Sequence, residues 1–119
     1  MNATIRQALA QDLVIDITTT GRRSGRPRRL EIWFHEVDGR WYITGLPGKR
    51  DWHANLLATP HFTFHLKESL QADLPARAIP VRDVAERRRV LGAIFGEQDT
   101  QEKLARRVAG SPLVEVVFE

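Results

Sequence analysis

The spacing of apolar residues predicts that the first half of the chain is mainly β-structure. Residues 13–20 are rich in β-branched side chains, and residues 28–37 alternate apolar with polar positions. A period of two is typical of strands with one buried face. The Asp38-Gly39 pair then predicts a tight hairpin leading into a third strand over residues 40–44. These segments together predict a three-stranded antiparallel meander.

The second half of the chain predicts strands interrupted by helices. Residues 61–67 alternate again, and residues 72–81 form a strand-like run whose two prolines predict an edge position or a bulge. A last strand is predicted over residues 113–118. Helices are predicted over residues 3–12, 51–58, 83–95 and 99–109, with Asp51 and Asp83 as N-caps.

These elements predict an α+β fold, a mainly antiparallel barrel of about six strands with flanking helices. A length of 119 residues with 42% hydrophobic content predicts one domain, residues 1–119. The absence of cysteine excludes disulfides and thiolate metal sites. No apolar stretch approaches the length of a signal sequence or membrane span, so we expect a cytoplasmic protein.

Charge is distributed unevenly, and its clustering is more informative than the formal net charge of +3. Residues 21–29 (GRRSGRPRR), called the Arg loop below, contain five arginines and two glycines. Guanidinium groups match phosphate and carboxylate oxygens, and glycine lets a ligand approach backbone N–H groups. The Arg loop therefore predicts a site for a phosphorylated ligand, with Ser24 as a further donor. The alternative is a solvated basic hairpin loop.

A second loop, residues 45–50 (GLPGKR), is also basic and glycine-containing. Antiparallel meanders bring alternate strand ends to one rim, so we expect both loops to border one cleft and share a ligand. Because Asp51 is expected to cap the following helix, loop amides and cations are expected to hold the anion.

Histidines and the remaining arginines are interpreted more simply. In a strand, His61 and His65 would lie roughly 13 Å apart, too far to share one metal, and no metal site is predicted. A single haem ligand, His53 or His61, stays open as an alternative. Residues 87–89, all arginine, are predicted to form the solvated side of a helix.

Three segments together resemble a known family. Residues 18–28 (TTTGRRSGRPR), 41–45 (WYITG) and 52–60 (WHANLLATP) are similar to the deazaflavin-dependent nitroreductase family of FMN-binding split β-barrels. The resemblance implies a split barrel that binds coenzyme F420 or, alternatively, FMN, with the Arg loop on the phosphate and tail and the second loop along the ring. The cofactor-binding residues expected on this basis are Arg22, Arg23, Ser24, Gly25, Arg26, Arg28, Gly45, Leu46, Pro47, Gly48, Lys49, Arg50, Trp52 and Asn55.

The same resemblance implies an oxidoreductase that passes hydride to a small electron-poor acceptor, such as a quinone or a nitroaromatic. Hydride transfer is the cofactor's chemistry, so no catalytic side chain is expected. Family members carry a tyrosine-rich segment near the C-terminus, whereas residues 95–113 here contain no tyrosine. The alternatives are a flavin, deazaflavin or haem carrier and, less favoured, a nucleic-acid-binding barrel; we expect no nucleic-acid partner. The aromatic residues Trp33, Trp41 and Phe62 or Phe64 predict a homodimer.

Overall fold

The computed structural model describes residues 1–119 and contains a closed antiparallel barrel of six strands. The strands follow one another around the barrel in the order β1-β2-β3-β6-β5-β4. The chain runs through α1 (Ala3–Gln11), β1 (Val14–Thr20), β2 (Pro27–Val37), β3 (Arg40–Thr44), α2 (Asp51–Ala58), β4 (His61–Leu66), β5 (Ala72–Pro80), α3 (Val84–Phe95), α4 (Gln101–Gly110) and β6 (Leu113–Phe118). The predicted α+β barrel is confirmed.

Alternation along the strands fills the barrel as the sequence predicts. Ile15, Ile17 and Phe64 are fully buried inside it, and Phe34 meets the Phe64 ring edge-on at 5.2 Å. Edge-to-face aromatic pairs and close-packed aliphatic side chains stabilise such a core. Every inward position belongs to a strand bonded on both sides, so the barrel is a rigid support for the loops at its rim.

The β2–β3 hairpin forms at the predicted turn. Asp38 and Gly39 both adopt left-handed backbone angles, with φ of 52° and 78°. Positive φ at both central residues is the requirement of a type I′ turn, whose twist matches that of the flanking strands. The β1-β2-β3 meander is thereby confirmed, and it brings the Arg loop and the second loop to the same rim.

The prolines of β5 mark neither an edge nor a bulge, so that prediction is wrong. β5 pairs with both β4 and β6, and Pro75 lies opposite Thr63. The Pro75 carbonyl accepts a hydrogen bond from the Glu119 N–H at 3.0 Å, just beyond the end of β6. The N–H and C=O groups of one strand residue point to the same side of the strand. The N–H that Pro75 lacks would therefore point to a position where β6 has already ended.

Helices α3 and α4 form a second layer outside the barrel. Val90 and Leu91 of α3 and Val108 of α4 pack against Tyr42 and Leu113. The start of α3 is as predicted, because the Asp83 carboxylate accepts a hydrogen bond from the Glu86 N–H at 3.0 Å. No helix in the structure is both long and apolar enough to cross a lipid bilayer.

Arg87 is not on a solvated helix face, contrary to the prediction for residues 87–89. Its guanidinium donates hydrogen bonds to the carbonyls of Val81 (2.9 Å), Arg107 (3.1 Å), Val108 (2.8 Å) and Ser111 (2.6 Å). The last carbonyls of a helix have no intrahelical partners, and a cation satisfies them well. Arg87 therefore joins α3 to the end of α4.

We predict that Arg87→Met lowers the free energy of unfolding by about 2 kcal/mol, because it keeps the apolar stem but removes the charged donor from four carbonyls. Urea denaturation followed by circular dichroism measures the change. Arg88→Met, an exposed neighbour on α3, is the matched control and should stay close to wild type. Equal stability of the two variants would contradict the role given to Arg87.

Candidate functional site

The turn of the Arg loop is held by its own backbone. The Gly21 N–H donates to the Arg26 carbonyl and the Gly25 N–H to the Gly21 carbonyl, both at 2.8 Å. Ser24 Oγ accepts from the Arg26 N–H at 3.1 Å, and Gly25 has a φ of +70° that favours glycine. A Cβ on Gly21 would lie 2.7 Å from Ser24 Oγ. These hydrogen bonds and the glycine conformation therefore fix the shape of the turn.

Helix α2 is attached to the Arg loop through the buried side chain of Asn55. Asn55 Oδ1 accepts from the Arg22 backbone N–H at 3.1 Å and from Arg22 Nη1 at 3.0 Å. Asn55 Nδ2 donates to Thr19 Oγ1 at 3.2 Å, and Arg22 Nη2 contacts Asp51 Oδ1 at 3.2 Å. Several hydrogen-bond donors of Arg22 are thus already paired with groups of the protein.

The expectation that Asp51 caps α2 is wrong. Asp51 is the first helical residue, Arg50 occupies the N-cap position, and no side chain caps the helix. The Asp51 carboxylate is 90% exposed and pairs with Arg22 instead. An uncapped N-terminus favours anions through its free N–H groups and its dipole. The free N–H groups at the start of α2 therefore lie beside the Arg loop, next to the Asp51 carboxylate.

An open cleft of about 530 Å³, called the Arg cleft below, lies between the Arg loop and α2. It is lined by Thr19, Gly21, Arg22, Arg23, Ser24, Arg28, Arg29, Leu30, Asp51, Trp52 and Asn55. Arg29 forms an ion pair with Asp16 at 2.9 Å. Arg23 and Arg28 form no hydrogen bond or ion pair with any other side chain. The Arg cleft thus holds two guanidinium groups free to bind an anion.

The second loop borders a different space, called the second cavity below, which also measures about 530 Å³. Its lining includes Gly48, Lys49, His53, Leu57, Arg82 and Ser111. Helix α2 separates the two spaces, because Trp52 and Asn55 face the Arg cleft whereas His53 and Leu57 face the second cavity. The two loops share a rim, as expected, but they line two cavities and not one.

The expected cofactor residues accordingly fall into three groups. Six of them line the Arg cleft, namely Arg22, Arg23, Ser24, Arg28, Trp52 and Asn55. Two line the second cavity, Gly48 and Lys49. The remaining six line neither space: Gly25, Arg26, Gly45, Leu46, Pro47 and Arg50. Thr19 in the Arg cleft belongs to the quoted segment 18–28 but was not assigned to the site. Leu30 in the Arg cleft, with Arg82 and Ser111 in the second cavity, was missed because none of the three belongs to a local motif.

Two of the histidines considered above have partners within the sheet. His65 is 6% exposed and lies between Thr18 Oγ1 and Asp73 Oδ1, both 2.7 Å from its ring nitrogens. His61 contacts Glu119 at 2.7 Å. His53 has no such partner, and burial lowers its pKa, with a further contribution from Arg87 and Arg82. The His53 ring is therefore neutral at neutral pH.

Comparison with known families identifies the family of the chain. The model of the F420H(2)-dependent quinone reductase family matches residues 1–112. The chain belongs to this family. It is an F420-dependent oxidoreductase, and of the two cofactors considered above the family match supports coenzyme F420. No curated protein matches the chain.

Solved structures agree on the fold. A conserved hypothetical protein from Mycobacterium tuberculosis is similar with a TM-score of 0.75 and 18% identity, covering 100% of this chain and 81% of that one. An FAD-binding protein from Mesorhizobium loti has a TM-score of 0.69 and 14% identity, covering 100% and 89%. An F420 reductase has a TM-score of 0.63 and 19% identity, covering 96% and 92%. These similarities establish the split barrel.

The residues of the Arg cleft fit the anionic part of coenzyme F420. The phosphate and tail of F420 are anionic, and the cleft offers two unpaired guanidinium groups beside an uncapped helix start. Trp52, 7% exposed, adds an aromatic wall. No group of three or more His, Asp or Glu side chains is arranged to hold a metal ion.

We predict that Asn55→Ala lowers the free energy of unfolding by about 1 to 3 kcal/mol, because it removes the acceptor of the Arg22 backbone N–H and the donor to the buried Thr19 hydroxyl. Thermal or urea denaturation measures the effect. Asp51→Asn removes only an exposed ion pair and should change stability by about 0 to 1 kcal/mol. If Asn55→Ala lowers the free energy of unfolding no more than Asp51→Asn does, Asn55 does not fix the Arg loop.

Proposed function

We propose that this F420-dependent oxidoreductase binds the phosphate and tail of the cofactor in the Arg cleft and reduces a small, planar, electron-poor acceptor. Reduced F420 supplies a hydride when bound. The acceptor class is a quinone, with nitroaromatics as further substrates. Residues 1–119 act as one cofactor-binding domain, and we place the protein in the cytoplasm.

The free guanidinium groups of Arg23 and Arg28 are the observation that carries this proposal. Both line an open cleft, and neither is paired with a carboxylate of the chain. Arg22 holds Asn55 and Asp51, so its main task is to position the loop. A charged donor without a partner beside an uncapped helix start is suited to a phosphate group.

We propose that the second loop lies along the ring of the cofactor. Gly48 has a φ of 121°, which favours glycine, and its N–H donates to the Gly110 carbonyl at 3.1 Å. The loop is therefore fixed against the end of α4, and the exposed Gly48 offers backbone without a side chain. In this arrangement the protein binds and orients the ring and excludes water, and no side chain needs to move a proton.

We predict that Arg23→Gln and Arg28→Gln each weaken F420 binding by about 1 to 3 kcal/mol, because each removes a charge-assisted hydrogen bond. Fluorescence titration of the purified protein with F420 measures the dissociation constant. FMN, titrated in parallel, should bind more weakly than F420 to the wild type.

Arg106→Gln provides the control for net charge, because Arg106 lies on α4, is 69% exposed and lines neither space. It should leave F420 affinity unchanged. Wild-type affinity in the Arg23→Gln, Arg28→Gln double variant would remove the Arg cleft from the cofactor site. Binding of F420 without anaerobic reduction of any quinone would make the protein a carrier.

We also propose that the protein is a homodimer that buries Trp33. Of the aromatic residues expected at an interface, Phe62 and Phe64 lie inside the barrel, and Trp41 is half-buried and packs on Phe118 at 5.5 Å. Trp33, in contrast, is 56% exposed, and Leu13 beside β1 is 54% exposed. Two large exposed apolar side chains, one on β2 and one just before β1, suit a two-fold interface.

Sedimentation at micromolar concentration should report a dimer for the wild type and a monomer for Trp33→Lys, because the lysine charge cannot be buried unpaired. The fold should be unaffected, since Trp33 is largely exposed. His61→Lys, which changes an exposed residue on β4, is the control and should remain dimeric. A monomeric wild type would contradict the proposed interface.

A further inference from the structure

The second cavity is lined by cationic and polar side chains that have no hydrogen-bond partner in the protein. Lys49 Nζ, the Arg82 guanidinium and the His53 ring form no hydrogen bond or ion pair with other residues. No Asp or Glu side chain lines the cavity. The Arg cleft, in contrast, includes the carboxylate of Asp51. With its cations uncompensated, the second cavity has a positive potential that favours an anion.

The buried wall of the second cavity also has an unpaired polar atom. Ser111 is 3% exposed, and its Oγ has no hydrogen-bond partner. Leaving such a group unpaired costs roughly 1 to 3 kcal/mol. Arg87, the third cation of the cavity, differs because it is occupied by four carbonyls. The free polar groups therefore lie on the second loop, on α2 and on the β5–α3 and α4–β6 connections.

The rest of the second cavity is apolar. Leu57, Val81, Pro112 and Leu113 contribute hydrophobic surface beside the charged groups. A volume of about 530 Å³ is within the range of small-molecule sites. A ligand matched to this wall has a hydrophobic body and one anionic group, which an inorganic ion does not provide.

We propose that the second cavity binds the electron acceptor, and that this acceptor is an aromatic or quinoid acid whose carboxylate or sulfonate is held by Lys49 and Arg82. This inference rests on the proposed function, in which the loop that carries Lys49 runs along the cofactor ring. It specifies the substrate as an organic anion. Neutral His53 donates a hydrogen bond to the bound group or packs on its ring.

The test is direct binding of two quinones to the full chain without cofactor. Isothermal titration calorimetry should show naphthoquinone sulfonate binding about tenfold or more tighter than unsubstituted naphthoquinone, because only the sulfonate pairs with the free cations. Arg82→Gln and Lys49→Gln should each reduce this preference severalfold. Arg88→Gln, an exposed arginine on α3, should leave it unchanged.

A second measurement locates the ligand. In the NMR spectrum, addition of naphthoquinone sulfonate should shift the ring signals of His53 and leave those of His35, His61 and His65 in place. Equal affinity for both quinones, or shifts at the other histidines alone, would overturn the inference.

The acidic tail of F420 carries the same anionic chemistry, so a competition experiment separates the two sources. Naphthoquinone sulfonate should still bind in the presence of saturating oxidised F420. Loss of binding there would assign the cavity to the cofactor and overturn the inference. Tight, Arg82-dependent binding of naphthoquinone sulfonate without its F420-dependent reduction would instead contradict the proposed function. The second cavity would then still be a binding site for an aromatic anion.

Discussion

The attachment of α2 to the Arg loop through Asn55 is the interaction on which the site depends. A short helix of eight residues is marginal alone, and its N-terminus has no side-chain cap. Buried Asn55 satisfies the Arg22 backbone, the Arg22 side chain and Thr19 at once. This places an uncapped helix start beside two unpaired arginines on a barrel rim. Without it, the Arg loop would be a basic surface turn.

The position of α2 also divides the rim into two spaces of different character. On one side lie the exposed guanidinium groups of Arg23 and Arg28 with the aromatic wall of Trp52. On the other side, cations meet hydrophobic surface and no carboxylate. A hydride-transfer enzyme must hold a large anionic cofactor and a small acceptor next to each other. The second loop, which leads into α2 and lines the second cavity, is the element at which we propose that the two ligands meet.

Local patterns in the sequence predicted the strands, the Asp38-Gly39 hairpin and the Arg loop, because each depends on side-chain alternation or turn chemistry within a few residues. The predictions failed for residues whose contacts are made with residues distant in the sequence. Pro75 is tolerated in an interior strand because β6 ends beside it, and Arg87 is recruited by carbonyls some twenty residues away. The Asp51 carboxylate pairs with Arg22 and does not cap α2 as expected. Arg82 lines the second cavity only because of the tertiary fold. No motif encodes such contacts.

A crystal structure of the protein with F420 bound tests the central claim most directly. The phosphate oxygens should lie within about 3 Å of guanidinium nitrogens of Arg23 or Arg28, with Asn55 still bonded to Arg22. The ring should extend from the Arg cleft along the second loop. A phosphate held instead by Lys49 and Arg82 in the second cavity, with Arg23 and Arg28 left in solvent, would contradict the assignment of the Arg cleft.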